Sequence, residues 1–296
     1  MDRGSDVIRR PNTTRSNGSR TLPEAQANIR WTPPTGPLGE LTASSRQRAR
    51  ESALARPELE ALIAGVPAPP DFAAALRRPQ VAVIAELKRS SPSKGTLDAS
   101  LNAADRTRLY VSGGAAALSI LTEPSRFGGS LADLRDAGAA VDVPLLRKDF
   151  ITDEIQLLEA RAFGAAAALL IARALEPARL ADLGAAALAL GLTPLVEIRD
   201  EAELARAVAV PGAVIGVNNR DLETLVIEPE VGARMIPLVP ADRVAVYESG
   251  ITDPAGVAVA AALGADAVLI GSSLSLSADP VATLRAMAAV PRVGRG

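Results

Sequence analysis

Six ionisable side chains fall at the carboxyl ends of predicted strands in an otherwise apolar chain. They are Glu86, Lys88, Lys148, Glu197, Arg220 and Glu248. Burying any one of these charges alone would be costly, but three are anionic and three cationic, so a shared pocket would be nearly neutral. Such a pocket could carry out proton transfer. The pattern therefore predicts an enzyme that uses acid–base chemistry.

The composition limits which side chains can do this chemistry. The 296 residues include no cysteine and no histidine, which excludes disulfides and thiolate nucleophiles and removes the commonest metal ligand and general base. Acid–base work must fall to lysine, glutamate or aspartate. We expect no metal site.

Charge and hydropathy also restrict the partners and the location. A net charge of −2 gives no electrostatic reason to expect nucleic acid. No apolar run reaches membrane-spanning length, and no apolar segment follows Arg9 and Arg10 to form an export signal. We expect a cytoplasmic protein, a monomer or weak homodimer, acting on a small molecule.

The chain divides into an extension and a domain. Residues 1–43 show no helical or strand periodicity and are predicted to be disordered, whereas residues 44–296 are predicted to form one domain. A helical pattern runs from Ser45 towards Leu62, and Asp71 can cap a short helix that ends at Leu76.

Beyond Pro79, short apolar strands alternate with helix-length amphipathic segments. The predicted strands are 81–87, 116–121, 144–149, 167–172, 193–198, 213–218, 243–249 and 267–272. Gly-Ala repeats at Gly114, Gly164 and Gly264 each lead into a strand. Eight such units predict a closed (β/α)8 barrel. The alternative is an open doubly wound sheet, and the first strand lacks the G-x-G-x-x-G turn that dinucleotide-binding sheets of this kind carry.

Strand periodicity places the charged side chains on one side of the sheet. Glu86 and Lys88 are two residues apart and must face the barrel lumen together. The same periodicity directs four further side chains inward: Lys148, Glu197, Asn218 and Glu248. The two lysines are expected to disfavour each other's protonation while the three glutamates offset this effect, so that one lysine can become a usable proton donor. Glu197, surrounded by apolar strand residues, is expected to have a raised affinity for protons and to act as a base or acid.

Two glycine-containing loops predict a phosphate site. Glu248-Ser249-Gly250 follows the seventh strand and Gly271-Ser272-Ser273 follows the eighth, where barrel enzymes often bind phosphate. The basic loop from Arg89 to Gly95 could close over an anionic substrate. Ordinary solvent-exposed loops remain the alternative for both features.

Several motifs together resemble the indole-3-glycerol-phosphate synthase family. The most specific are Ile84-Ala-Glu-Leu-Lys-Arg-Ser-Ser-Pro-Ser-Lys-Gly95 and Leu146-Arg-Lys-Asp-Phe-Ile151, and Ile215-Gly-Val-Asn-Asn-Arg-Asp-Leu222 supports them. The resemblance extends in order over about residues 45–285.

The resemblance implies conversion of 1-(2-carboxyphenylamino)-1-deoxyribulose 5-phosphate into indole-3-glycerol phosphate, with loss of CO₂ and water and without a cofactor. It implies that Lys148 is the general acid, that Glu197 and Glu86 assist proton transfer, and that Lys88 binds the substrate carboxylate. The implied substrate-binding residues are Asn218, Arg220, Glu248, Ser249 and Phe150. The implied phosphate-binding residues are Ser91, Gly250, Gly271 and Ser272. Residues 45–76 resemble the family's N-terminal helices, which cover the C-terminal face of the barrel.

The chain departs from the family pattern in three places. Residues 1–43 have no counterpart, Tyr247 stands where the family has a small residue, and Ser275-Leu276 replaces the usual Met-Arg. None of these changes removes an implied catalytic group. Two other functions stay open: an isomerase of the phosphoribosylanthranilate type, and a non-catalytic paralogue that binds phosphorylated ligands.

Overall fold

A computed structural model gives the structure of the chain and describes residues 1, 31–91, 95–96 and 101–295, without the side chains of Ser91 and Thr96. Eight parallel strands form a closed barrel in the order β1-β10-β9-β8-β7-β6-β5-β4. The strands are β1 (Ala82–Leu87), β2 (Ser90–Ser91), β3 (Gly95–Thr96), β4 (Ala117–Leu121), β5 (Leu145–Lys148), β6 (Ala167–Ile171), β7 (Thr193–Ile198), β8 (Val214–Asn218), β9 (Ala245–Glu248) and β10 (Ala267–Ile270). The predicted barrel is confirmed, with β2 and β3 forming a separate antiparallel pair.

Helices follow the barrel strands and surround them. They are α1 (Gly36–Arg50), α2 (Arg56–Ala64), α3 (Phe72–Ala75), α4 (Ala103–Ser112), α5 (Pro124–Phe127), α6 (Leu131–Ala140), α7 (Glu154–Ala162), α8 (Pro177–Ala189), α9 (Glu201–Val208), α10 (Pro229–Met235), α11 (Pro254–Ala262), α12 (Ser272–Leu276) and α13 (Pro280–Ala288). Aspartates fix several helix starts: Asp153, Asp200 and Asp253 each accept a hydrogen bond from a backbone N–H in the first turn. Within the described ranges, no helix is long and apolar enough to cross a membrane.

The core has two layers because strand side chains alternate. One apolar cluster fills the lumen, and it includes Ile84, Leu146 and Leu195. The other lies between the strands and the outer helices, and it includes Val83 and Tyr247. The predicted inward and outward faces are therefore confirmed.

Tyr247 fits under its covering helix because a glycine faces it. A Cβ atom at Gly232 in α10 would lie 2.3 Å from Cε2 of Tyr247, so the ring takes the space that a side chain would fill. The large residue at this outer position is matched by the small one opposite.

The first helix begins earlier than the sequence predicted. Helix α1 starts at Gly36, so the prediction that residues 1–43 form a disordered extension is wrong for residues 36–43; residues 2–30 of that extension lie outside the described residues. The Gly36-Pro37 pair favoured a loop, yet proline is tolerated in the first turn of a helix. Burial of Leu38, Leu41 and Ser45 on one face then stabilises the turn.

A buried ion-pair network docks α1 onto the barrel beside Lys148. Both Nη atoms of Arg48 donate to the Asp149 carboxylate, at 3.0 and 2.7 Å, and Oγ1 of Thr122 donates to the same group at 2.7 Å. Burial opposes the Asp149 charge, but the Arg48 hydrogen bonds and the nearby Arg147 lower the pKa of Asp149 to about 2. The network fixes the residue next to Lys148 in the chain.

Replacing Arg48 with methionine should loosen α1. Two charged hydrogen bonds disappear while Asp149 keeps Arg147 as a counter-ion, so we expect a loss of about 2 kcal/mol in the free energy of unfolding. Urea denaturation measures this change. Arg50→Met is the matched control, because Arg50 lies on the exposed side of the same helix, and equal losses in the two variants would contradict the docking role.

Candidate active site

Most of the predicted site residues meet in one cavity at the carboxyl ends of the strands. The cavity has a volume of about 100 Å³. Its lining includes eight predicted residues: Glu86, Lys88, Lys148, Phe150, Glu197, Asn218, Arg220 and Ser249. Residues from β1, β5, β7 and β8 and from the loops that follow the strands thus converge, as the strand periodicity predicted.

Lys148 lies at the centre of the charged groups. Its Nζ atom is 3.1 Å from Oε2 of Glu197 and 3.2 Å from Oε2 of Glu248. Burial opposes the positive charge, but Glu197, Glu248 and Glu86 together raise the pKa of Lys148. Of the two opposing effects expected from the sequence, the offset by the glutamates is the larger one at Lys148, because carboxylates surround it.

Glu86 and Lys88 form a second ion pair at the cavity wall. Their Oε1 and Nζ atoms are 2.8 Å apart. Burial opposes the Glu86 charge, yet Lys88 and Lys148 lower the pKa of Glu86. A Cβ atom at Gly271 would lie 2.3 Å from Oε1 of Glu86, so this glycine makes room for the carboxylate.

Glu248 is the most deeply buried of the three glutamates around Lys148. It is 1% exposed, and its Oε1 atom has no hydrogen-bond partner among the described residues. Burial, opposed by Lys148, raises the pKa of Glu248 to about 7. A Cβ atom at Gly216 would lie 2.2 Å from this Oε1 atom. The Glu248 carboxylate can therefore take this position only because residue 216 has no side chain.

Asn218 organises the loop after β8. Its Oδ1 atom accepts from the backbone N–H of Arg220 and from Oγ of Ser249, both at 2.9 Å. The Arg220 side chain donates to the carbonyl oxygen of Leu225 at 2.8 Å. These bonds hold a cationic side chain at the cavity rim.

Three of the predicted phosphate residues, Gly250, Gly271 and Ser272, follow neighbouring strand ends and are outside the lining of this cavity. Leu269 of β10 pairs with Glu248 of β9, so Gly250 and Gly271 follow adjacent strand ends, and Ser272 begins α12. Ser249 and Gly250 have φ values of 68° and 87°, a left-handed turn that Gly250 adopts without strain. The side chain of Ser91, and Pro92, Ser93 and Lys94 of the basic loop, lie outside the described residues.

The apolar wall of the cavity was not predicted from the sequence. Phe127, Leu169, Ile171 and Leu222 line it, and the Phe127 and Phe150 ring centroids are 6.4 Å apart. An apolar, partly aromatic wall suits a flat aromatic ligand. In the sequence these residues are marked only by their position near strand ends. Apolar residues of the core occupy the same kind of position, so the sequence does not distinguish cavity-lining residues from core residues.

A larger acidic cleft of about 410 Å³ adjoins the site and shares Glu197 with it. Glu203 lies in its wall, 3% exposed, and accepts from the backbone N–H of Arg199 at 2.8 Å. Burial and the nearby Asp200 raise the pKa of Glu203 to about 7. Among the described residues, no cluster of acidic side chains has an arrangement that could hold a metal ion.

This combination of fold and site defines a class. A closed eight-stranded barrel that buries a lysine between carboxylates at the carboxyl ends of its strands is a TIM-barrel enzyme equipped for acid–base catalysis.

Comparisons with known proteins define the family. Residues 39–287 match the family model described as indole-3-glycerol phosphate synthase. The chain is 50% identical over 241 residues to an indole-3-glycerol phosphate synthase of a Nocardioides species, covering 81% of this chain and 93% of that protein. It is 48% identical over 252 residues to an indole-3-glycerol phosphate synthase of Streptomyces griseus. That match covers 83% of this chain and 94% of the Streptomyces protein. The chain belongs to the indole-3-glycerol phosphate synthase family.

A structural comparison supports the fold alone. A 3-hexulose-6-phosphate synthase from Salmonella typhimurium superimposes with a TM-score of 0.57 at 16% identity, covering 70% of this chain and 97% of that one.

Replacing Gly216 with alanine should displace Glu248. The new methyl group would overlap Oε1 of Glu248, so we expect the carboxylate to move more than about 4 Å from Nζ of Lys148, beyond hydrogen-bond range. A crystal structure of the variant measures this distance. Gly138→Ala, on an exposed helix position with ordinary contacts, should leave the site unchanged. An unmoved Glu248 would contradict the steric argument.

Glu203→Gln should alter how stability depends on pH. Because folding raises the pKa of Glu203 from 4.5 to about 7, its stabilising contribution is complete below pH 4.5 and is lost as the pH rises through 7. Relative to the variant, the wild type should lose roughly 2 to 3 kcal/mol between pH 5 and pH 8. Urea unfolding of both proteins at the two pH values gives the difference, and parallel pH profiles would contradict it.

Proposed function

We propose that this chain is an indole-3-glycerol phosphate synthase that closes the indole ring of 1-(2-carboxyphenylamino)-1-deoxyribulose 5-phosphate by lysine–glutamate acid–base catalysis. The observation that carries the proposal is Lys148, which lines the cavity and lies within 3.2 Å of both Glu197 and Glu248. Its relatives in the family bear the name of this activity.

The first step needs an acid. The aromatic carbon that bears the substrate carboxylate attacks the ketone carbon, and the ketone oxygen gains negative charge as the new carbon–carbon bond forms. Lys148 stays protonated because Glu197, Glu248 and Glu86 raise its pKa, so it can donate a hydrogen bond and then the proton to that oxygen. A developing oxyanion competes with the carboxylates for the ammonium group.

The later steps release CO₂ and water. Cleavage of the bond to the carboxyl carbon leaves its electron pair in the ring and restores aromaticity. Loss of the new hydroxyl group then needs a proton donor, and removal of a proton from the neighbouring carbon completes the pyrrole ring. We assign these proton transfers to Glu197 and Glu86. Glu248, whose pKa of about 7 reflects burial, is placed to return a proton to Lys148.

The cavity walls account for substrate binding in this proposal. Lys88, at the edge of the cavity, would pair with the substrate carboxylate, while Phe150 and Phe127 would contact the aromatic ring. Asn218, Arg220 and Ser249 would position the sugar. Ser91, Gly250, Gly271 and Ser272 would hold the phosphate through hydroxyl and backbone N–H groups at adjacent strand ends.

The proposed reaction makes the protein a carbon–carbon lyase of the carboxy-lyase type. A cytoplasmic location belongs to the same proposal, because a phosphorylated sugar substrate does not cross membranes readily. A monomer or weak homodimer is also proposed, and the sedimentation coefficient at several concentrations measures it.

Lys148→Met removes the proposed acid while nearly keeping the side-chain shape. We expect kcat to fall about a thousandfold or more, because proton donation to the ketone oxygen is lost. The assay incubates purified protein with the substrate and follows indole absorbance in the ultraviolet. Arg108→Met, at an exposed helix position, should keep normal turnover.

The same assay separates the other candidate functions. Turnover of phosphoribosylanthranilate alone would favour the isomerase. Binding of substrate without product in the wild type would favour the non-catalytic paralogue. Near-normal turnover by Lys148→Met would show that another group is the acid.

A further inference from the structure

The segment that leads into α1 and includes its first residue runs across two loops at the mouth of the barrel. We define residues 31–36 as the strap. Its contacts are with Arg173, which follows β6, and with Glu223, which follows β8. The strap precedes residue 39, where the family match begins.

Arg173 and Glu223 bind the strap and each other. The indole Nε1 of Trp31 donates to the Arg173 carbonyl oxygen at 3.1 Å, and Nη1 of Arg173 donates to the Thr32 carbonyl oxygen at 2.6 Å. Oε1 of Glu223 accepts from the backbone N–H and the hydroxyl group of Thr35, at 2.6 and 2.8 Å. Arg173 donates to both carboxylate oxygens of Glu223, at 3.2 and 3.1 Å.

The network is more than an exposed ion pair. The Arg173 and Glu223 side chains are 29% and 24% exposed, and each makes bonds to the strap as well as to the other. Burial opposes the charge of Glu223, but hydrogen bonds from Thr35 and Arg173 lower its pKa. A Cβ atom at Gly36 would lie 2.5 Å from the Glu223 carbonyl oxygen, so the strap also touches the backbone of the loop.

The two bound loops carry residues of the candidate active site. Leu222 lines the cavity and directly precedes Glu223, and Arg220 lies three residues before it. Arg220 donates to the carbonyl oxygen of Leu225 within the same loop. On the other side, Ile171 lines the cavity two residues before Arg173. Fixing Arg173 to Glu223 therefore fixes the spacing of two cavity walls.

We propose that Glu223 is a positioning residue for the synthase reaction: it clamps the strap and the loop after β6 onto the loop that presents Leu222 and Arg220 to the substrate. This inference rests on the proposed function. Glu223 lines the adjoining larger cleft but not the cavity that contains Lys148, so it acts on that cavity through its neighbours. Because binding effects are reciprocal, a strap that improves substrate binding must in turn be held more tightly when substrate is bound.

Trp31 provides a direct readout, because it is the single tryptophan of the chain. In Glu223→Ala and Arg173→Met, we expect red-shifted Trp31 emission and stronger quenching by iodide, since the strap is released. Thr35→Val should give a smaller change of the same kind. Asp105→Ala, which removes an exposed ion pair on α4, should leave emission and quenching as in the wild type.

Steady-state kinetics tests the positioning role. For Glu223→Ala we expect KM for 1-(2-carboxyphenylamino)-1-deoxyribulose 5-phosphate to rise about five- to twentyfold with kcat within about twofold, because binding is weakened while the reacting groups remain. Saturating substrate should reduce iodide quenching of Trp31 in the wild type and not in Glu223→Ala. Adding Thr35→Val to Glu223→Ala should cause no further rise in KM, because both variants remove the same contact.

Different results overturn different claims. An unchanged KM in Glu223→Ala, with wild-type turnover normal, overturns the positioning role and leaves the proposed function intact. Unchanged Trp31 quenching in that variant shows that Glu223 does not hold the strap. If the wild type makes no product, the proposed function fails and the positioning role fails with it, while Trp31 quenching still measures strap docking.

Discussion

The structure depends on balancing one buried ammonium group with carboxylates from distant parts of the chain. Lys148 on β5 is within 3.2 Å of Glu197 on β7 and of Glu248 on β9. An unpaired charge at this depth would destabilise the barrel, whereas the three groups together are tolerated and keep Lys148 protonated. The same arrangement that makes burial possible thus prepares a proton donor.

Glycines make this arrangement sterically possible. Gly216 and Gly271 face the carboxylates of Glu248 and Glu86, and neither position has room for a Cβ atom. The lumen holds charged groups at the carboxyl ends of the strands and apolar side chains such as Ile84 and Leu195 below them. The apolar layer supplies stability, and the charged layer above it supplies the chemistry.

Segments outside the barrel fix residues next to the catalytic groups. Arg48 on α1 pairs with Asp149, the neighbour of Lys148 in the chain. The strap pairs with Glu223, the neighbour of Leu222. In both cases an N-terminal segment makes a charged contact at the cavity wall, because Asp149 lines the cavity and Glu223 directly follows Leu222, which also lines it. The N-terminal segments thus hold the walls of the site without making these contacts to the proposed catalytic side chains themselves.

Much of the fold could be predicted because strand periodicity is a local property. The two-residue repeat placed Glu86, Lys88, Lys148 and Glu197 on the inner face, and the structure brings them to one cavity. The start of α1 was predicted too late because Gly36 and Pro37 resemble a loop, and only packing of Leu38 and Leu41 against the barrel selects the helix. Whether the lysine pair or the glutamates would control the proton affinity of Lys148 could not be predicted, because the balance depends on distances between strands.

The sequence by itself determined the alternation of strands and helices, the inward direction of the charged side chains and the family motifs, since each depends on residues close together in the chain. Tertiary structure alone decided which charges pair, which carboxyl group titrates near neutrality and where the strap binds. Those properties arise from atoms a few ångströms apart that are distant in the chain, by 49 residues for Lys148 and Glu197 and by 188 for Thr35 and Glu223. Electrostatic energy depends on distance in space and on burial, which the sequence does not show.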